Sequence, residues 1–388
     1  MLIFLAIALS ITGLIHWFLY ARLVGALDIV SLGALWTLRI TAIFLAISYF
    51  LAHIIERHCP EWIVSALYWL STVWMGLMWE LLWMGLGLYV GKQVLVVTGV
   101  WSSLGAATIA AIGRYTVFGV IGVASLMCGY GMVQALGSAR IAHVRIPVKE
   151  LTPELADLKI VMASDFHAGV MVGRRHLDRM ANQMMSLKPD LILLPGDILD
   201  RNADRIMSLT DVFRRLEAPL GVYGTTGNHD YYIGLKSALK FYNAAGIRML
   251  MNESVELSNG LVVAGIEDRT AQQMRLPRPD VSELLKNIPE DKTVILLNHT
   301  PSTEEAERAT QSGADIVLSG HTHAGQIWPF SLLTRATYRY HWGLYKTAAG
   351  HAFTSCGIGY WGPPMRIGAP PEIVLIQLTH ENEPQAIR

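Results

Sequence analysis

The sequence predicts a multi-pass α-helical membrane module followed by an α/β domain of layered βαβ type, and three observations carry that expectation. Charged residues nearly vanish from the first third: residues 1 to 139 hold only Arg22, Asp28, Arg39, Glu56, Arg57, Glu61, Glu80, Lys92 and Arg114, against 31 basic and 31 acidic residues in the 388-residue chain. Long apolar runs fill that same third. From about residue 155 the pattern changes to short apolar segments alternating with amphipathic ones, as in layered α/β domains.

The apolar runs lie at about 2 to 20, 32 to 52, 62 to 90, 94 to 112 and 116 to 138. Each is near or above the roughly 18 to 20 residues that a spanning helix requires, so the module is expected to hold four or five membrane helices. The first run lacks a basic flank and is followed by further runs, which argues against a cleaved signal peptide. Trp17, Tyr20, Trp36, Trp62, Trp69, Trp101 and Tyr115 fall mostly near run ends, where amphipathic rings sit at headgroup level. Glu80 stands inside "VWMGLMWELLWMGLGLYV", a depth at which a carboxylate needs a partner, a proton or water. After the last run come Arg140, His143, Arg145 and Lys149, a basic bias that places the following domain in the cytoplasm, with the chain multi-pass in the inner (plasma) membrane.

The expected organisation is a membrane module over 1–139, a linker over 140–156, the α/β domain over 157–380 and a polar tail over 381–388. The formal net charge of zero argues against a nucleic-acid partner held by bulk electrostatics. Cys59, Cys128 and Cys356 are too scattered to read as a disulfide framework or a CxxC metal site.

Candidate strands in the second domain are 159–164, 190–195, 221–226, 261–266, 293–298, 315–320, 351–356 and 372–378, with helical patterns at 174–187, 203–216, 234–245 and 302–311. Residues of ligand type recur at the strand ends. Asp165 and His167 follow the first in "SDFH", Asp197 and Asp200 the second in "GDILDR", and Asn228, His229 and Asp230 the third in "GNHDYY". His299 ends a later strand in "NHT", and His321 and His323 end the next in "GHTH". Each motif alone is a common polar turn. Five in ordered series at carboxyl ends, where α/β sheets build their sites, point to a metal centre.

This series resembles the calcineurin-like metallophosphoesterases over roughly residues 157 to 380, and "GHTHAGQI", "HWGLYK" and "GIGYWGPPMRIGAPPEIVLIQL" look most like a membrane-associated bacterial branch with UDP-2,3-diacylglucosamine hydrolase-like phosphodiesterases. The resemblance implies a metallophosphoesterase-like sandwich holding two divalent metal ions, with Mn, Fe, Zn or Co all suited to carboxylate, imidazole and amide donors. Asp165, His167, Asp197 and His323 would hold one ion, and Asp197, Asn228, His299 and His321 the other. His229 would face the substrate with Asp200 orienting it, and Arg201 would contact phosphate. Two ions about 3.5 to 4 Å apart neutralise phosphoryl oxygens and activate water, which explains the donor types. Ala324 departs from the glycine often found after the last ligand, and its methyl group is expected to narrow the pocket.

The expected activity is metal-dependent hydrolysis of a phosphodiester or pyrophosphate bond by water, in a lipid-linked or amphipathic substrate. The tether and a candidate apolar rim of Trp328, Phe330, Trp342, Tyr345, Tyr360 and Trp361 suggest that class, with the bilayer as a partner. Two alternatives belong to other classes: a non-catalytic scaffold on the same fold, and a membrane sensor or transporter with an accessory hydrolase domain.

Overall fold

The computed structural model describes residues 2–56, 58–149, 151–200 and 206–380, so Arg201 and the tail at 381–388 lie outside the described residues. The chain divides into two units, residues 1–133 with 362–365, and 134–361 with 366–388.

In the first unit, α1 (Leu2–Leu27), α2 (Leu32–Ile55), α3 (Glu61–Val97) and α4 (Ala106–Leu136) are, among the described residues, four helices long and apolar enough to cross a membrane. The fifth expected run, 94–112, is not a separate helix. Its first residues extend α3, and a turn over 98–105 with Gly99 at φ 77° precedes α4. At 37 residues α3 is roughly 55 Å long, more than a bilayer core of about 30 Å requires. Leu14, Ile40, Val90, Phe118 and Leu126 are exposed along these helices, as lipid-facing side chains would be. Polar groups instead turn inward. Trp74 Nε1 donates to His16 Nε2 at 2.8 Å, and Tyr68 donates to Glu56 at 3.0 Å. Glu80 is fully buried and accepts from Trp83 Nε1 at 2.6 Å, which makes it a helix-packing group rather than a lipid-facing one.

The second unit holds two six-stranded sheets among its described residues. One runs in the order β1 (Arg140–Val148), β12 (Glu372–His380), β2 (Ile160–Met162), β3 (Leu191–Pro195), β4 (Val222–Thr225), β5 (Arg248–Met249). The other runs β10 (Gly343–Lys346), β11 (His351–Thr354), β9 (Ile316–Ser319), β8 (Val294–Leu297), β7 (Val262–Gly265), β6 (Glu253–Glu256). Central pairs β2–β3–β4 and β7–β8–β9 are parallel, which requires a crossover between successive strands.

Strand alternation sorts the apolar residues into layers. Leu191 and Leu193 of β3 pack with Ile160, Ile295, Leu297, Ile316 and Leu318 in the core between the sheets. Ile192 and Leu194 face the other way, into a core built with Leu177, Met180 and Met184 of α5 (Arg174–Ser186) and Phe241 and Tyr242 of α7 (Leu235–Ala245), the short α6 (Asn228–Ile233) preceding α7 in the chain. Beyond the second sheet, Val262, Leu296 and Val317 pack with Ala306 and Ala309 of α8 (Thr303–Gln311). Because both faces are covered, the central strands read as continuous apolar runs.

One expectation changes here. Residues 140–148, expected within a linker, form β1 and pair in parallel with β12 from Arg140↔Glu372 to Val148↔His380. Arg140 also donates to Glu372 at 2.7 Å. Alternating Arg, His and apolar residues at a sheet edge give a weak local signal, and the partner strand is far along the chain.

Leu193 has no exposed surface and sits in the middle of the inter-sheet core. Leu193→Ala is expected to cost about 2–5 kcal/mol, read as a lowered urea midpoint for the full chain in detergent by far-UV circular dichroism.

Candidate metal centre

The carboxyl ends of β2, β3 and β4 from one sheet, and of β8 and β9 from the other, supply the polar residues that the sequence singles out. Asp165, His167, Asp197, His321 and His323 all have positive φ, between 48° and 71°. For a residue with a Cβ this left-handed conformation costs roughly 1–2 kcal/mol, and such strain is held where the surroundings over-determine it. Glycines make the approach possible. Gly196 has φ 83°, and a methyl group there would overlap the His299 ring; one at Gly227 would overlap the Asp197 carboxylate.

Three groups of side chains present donor atoms within 4.8 Å of one another: Asp165 with His167 and His323; His167 with Asp197 and His229; Asp197 with His299 and His321. Asp197 is shared, and His167 Nε2 and His323 Nε2 lie 3.0 Å apart. Asp197 Oδ2 is 3.1 Å from His299 Nε2 and 4.0 Å from both His167 Nε2 and His229 Nε2. Asn228 Oδ1 completes the second cluster, 3.2 Å from His299 Nε2 and 2.9 Å from His321 Nδ1.

Outer partners orient the rings. His299 Nδ1 donates to the Pro195 carbonyl at 2.9 Å, which leaves Nε2 facing inward. His321 has Tyr338 3.3 Å from its Nε2, which leaves Nδ1 inward. His229 Nδ1 donates to Asp200 Oδ1 at 2.9 Å, while its backbone N–H donates to Asp197 Oδ1 at 3.0 Å. The hydrophilic cluster is nonetheless buried: Asp165 and His299 have no exposure.

The protonation states suit a cation. Burial holds His167 down at about 3 and His321 at about 4, and burial with the neighbouring Arg366 holds His323 well below the imidazole range. Their inward lone pairs are therefore available. Asp197 stays ionised, because although burial opposes its charge, His299 and His229 outweigh it. Burial likewise disfavours charged His299, but Asp197 lifts it to about 10, so a proton holds the positive charge that this carboxylate demands. Neutral imidazoles turned on shared carboxylates, with inward nitrogens that cannot all be satisfied by hydrogen bonds to one another, fit divalent metal ions.

Most of the residues singled out in the sequence converge here: Asp165, His167, Asp197, Asn228, His229, His299, His321 and His323, with Asp200 behind His229. Arg201 is not among the described residues. The Ala324 methyl group packs with Cys356 and Ala369 instead of narrowing the pocket, and the residue bears φ 49° where glycine would be relaxed. Of the expected apolar rim, Trp328, Phe330 and Trp361 are exposed, but Tyr360 is buried with its hydroxyl on the Met171 carbonyl. Trp342 and Tyr345 are half-buried, Trp342 Nε1 donating to Glu372.

Two contributors escape the sequence reading. Asp268, buried, accepts from Thr300 and Thr270 hydroxyls at 2.6 Å each and adds negative charge behind His299. It follows β7, so the strand-end rule applied to that strand would have found it. Arg366 is fully buried, donates to the carbonyls of Cys356 at 2.7 Å and of Gly357 and Ala369, and lies 3.0 Å from His323 Nδ1. No local spacing announces it.

A two-sheet sandwich that turns carboxylates and neutral imidazoles inward at its strand ends is a scaffold for a metal-dependent phosphoesterase. The family model for calcineurin-like phosphoesterases matches residues 158–325. An uncharacterized metallophosphoesterase of Helicobacter pylori is 34% identical over 254 residues, covering 65% of this chain and 67% of the relative. One of Aquifex aeolicus is 35% identical over 243 residues, covering 62% and 91%. A transmembrane protein with metallophosphoesterase domain from Danio rerio is 34% identical over 277 residues, covering 68% and 63%. The chain belongs to the calcineurin-like phosphoesterase family, and is a metallophosphoesterase, a hydrolase of phosphoric esters, carrying helices suited to membrane association.

A divalent ion entering the Asp197–His299–His321 cluster must displace the His299 proton, which is held up to pH about 10. Its affinity is therefore expected to rise about tenfold per pH unit between about pH 7 and 9. The Asp165–His167–His323 cluster, whose imidazoles are already neutral, should show no such slope. Metal titrations at several pH values with proton-release calorimetry check both.

Proposed function

We propose that the chain is a membrane-tethered hydrolase with a dinuclear metal centre, cleaving a phosphodiester or pyrophosphate bond with water as the nucleophile. The observation that carries the reading is a chain of shared donors, His167 between the Asp165–His323 and Asp197–His229 groups and Asp197 between that group and His299–His321, with the His229–Asp200 pair beside it. Asp165, His167, Asp197 and His323 would hold one ion, and Asp197, Asn228, His299 and His321 the second. Bound there, two divalent ions would neutralise phosphoryl charge and lower the pKa of water.

The chain's own groups do the rest. Burial disfavours charged His229, but Asp197 and Asp200 raise it to about 9, so at neutral pH it holds a proton on Nε2, on the side away from Asp200. That proton is placed for donation to the departing oxygen while Asp200 fixes the ring. Arg201 is assigned to the substrate phosphate on the family resemblance. A non-catalytic scaffold would be expected to have lost members of this set, and each is present.

A lipid-linked or amphipathic substrate is supported by exposed apolar rings near the pair. Trp361 and Tyr232 lie 6.1 Å and 5.6 Å, ring to ring, from His229, and Trp328 and Phe330 are exposed as well. The same substrate class fits the chain's resemblance to the UDP-2,3-diacylglucosamine hydrolase-like branch. A cytoplasmic position for the catalytic unit rests on Arg140, Arg145 and Lys149 following α4, while 28–31 and 98–105 carry no lysine or arginine.

With manganese and bis(p-nitrophenyl) phosphate, His229→Ala is expected to lower kcat by about 10²–10⁴ with metal content retained. An unchanged rate would remove His229 from the mechanism, and a wild-type chain without bound metal would favour the scaffold. An acylated phosphodiester should show a lower KM than its short-chain analogue, and Trp361→Ala should narrow that gap; equal KM values would argue against a lipid-linked substrate.

A further inference from the structure

The helix that follows His321 and His323 has its apolar side outward. In α9 (Phe330–Thr337) the inward positions are polar. The Ser331 backbone packs so closely on Gly325 that a methyl group there would overlap it, and Thr334 is buried with its hydroxyl donating to the Phe330 carbonyl at 3.3 Å. Tyr338, next in the chain, brings its hydroxyl to 3.3 Å from His321 Nε2. The outward positions are apolar: Leu332 and Leu333 are 62% and 57% exposed, and Ala336, one turn on, is exposed as well. A surface helix that faces water keeps its apolar stripe toward the core, so this reversal marks a face suited to being covered.

The same turns are basic. Between Trp328 and His341 the sequence holds Arg335 and Arg339 and no acidic residue, and both arginines are exposed. Glu307 offsets part of the Arg339 charge but also accepts from the Tyr340 hydroxyl and the Ala348 N–H, while Glu304 and Glu305 are engaged by Arg308 and Arg278. A cavity of about 520 Å³ opens beside the helix. Arg335, Ala336 and Thr337 of α9 contribute to its lining, as do Arg339 and His341, and no carboxylate does.

We infer that α9 is a membrane-surface anchor of the second unit: Leu332 and Leu333 enter the boundary between headgroups and acyl chains of an anionic bilayer, while Arg335 and Arg339 pair with lipid phosphates and the cavity receives a headgroup. Leucines and arginines on one amphipathic helix are the composition of interfacial helices, which lie in the membrane plane and are drawn to anionic lipid. A helix this short would hold a vesicle only marginally by itself. The helices of the first unit are suited to membrane association and share one chain with α9, so the bilayer is present at the high effective concentration of a tethered ligand and a weak contact suffices. The inference stands apart from the hydrolase reading. It uses neither the metal clusters nor the rings beside His229, and the lipid it assigns to α9 is not turned over.

The test uses the full chain in nanodiscs, one chain per disc, made of phosphatidylcholine alone or of an equal mixture with phosphatidylglycerol. A nitrobenzoxadiazole fluorophore is attached at position 333 through Leu333→Cys in a Cys59→Ser background, since Cys128 and Cys356 are buried. Quenching by acrylamide, which is uncharged, reports the contact of the fluorophore with water. Quenching in the mixed discs is expected to be at least about threefold weaker than in phosphatidylcholine discs, and Arg335→Ala with Arg339→Ala should remove the difference. The same fluorophore placed through Glu283→Cys, an exposed position of the same unit, should quench alike in both. All the substituted side chains of α9 and its flank are exposed, so the core is left intact. Equal quenching at position 333 in the two lipids overturns the inference, as does a difference that survives the loss of both arginines. Discs loaded with two chains identify the rival occupant: protection that needs the second chain would assign the face to a second copy and overturn the bilayer contact.

Discussion

The structure of the site depends on one buried charge. Asp197 is almost without exposure and stays ionised among His167, His229 and His299. A carboxylate at that depth is tolerable only with compensating positive charge close by. In the protein alone a proton on His299 provides it, and a backbone N–H from His229 takes the other oxygen. Strand ends from both sheets must meet around this group, which fixes the register of each with respect to the other.

Much else follows from that demand. The left-handed backbone at Asp165, His167, Asp197, His321 and His323 turns each side chain back over its strand end, and Gly196 and Gly227 remove the methyl groups that would block convergence. The apolar layers hold this arrangement rigid: Leu191 and Leu193 on one face of β3, Ile192 and Leu194 on the other. Site precision and core packing are thus two uses of the same short strands.

Legibility from sequence tracked the range of the interaction. β3, β8 and β9 were readable because apolar runs covered on both faces are unbroken, and their ligands were readable because they follow within a few residues. The helices of the first unit were readable by length, but the boundary between α3 and α4 was not, since the apolar run from 94 to 112 continues through a turn that Gly99 makes. β1 was missed because its stability comes from β12 rather than from its own composition. Arg366 was missed for a related reason: its role lies in carbonyls brought to it by folding, with nothing in the neighbouring sequence to mark it.

The place of β12 bears on how the chain comes to be made. This strand, near the end of the described chain, lies between β1 and β2, which are among the first elements of its unit to leave the ribosome. Until it arrives, both present open edges whose N–H and C=O groups have no partner, a liability for association with other chains. Completion of this sheet therefore follows the synthesis of the unit's other described strands, and until then β1 and β2 are left unzipped.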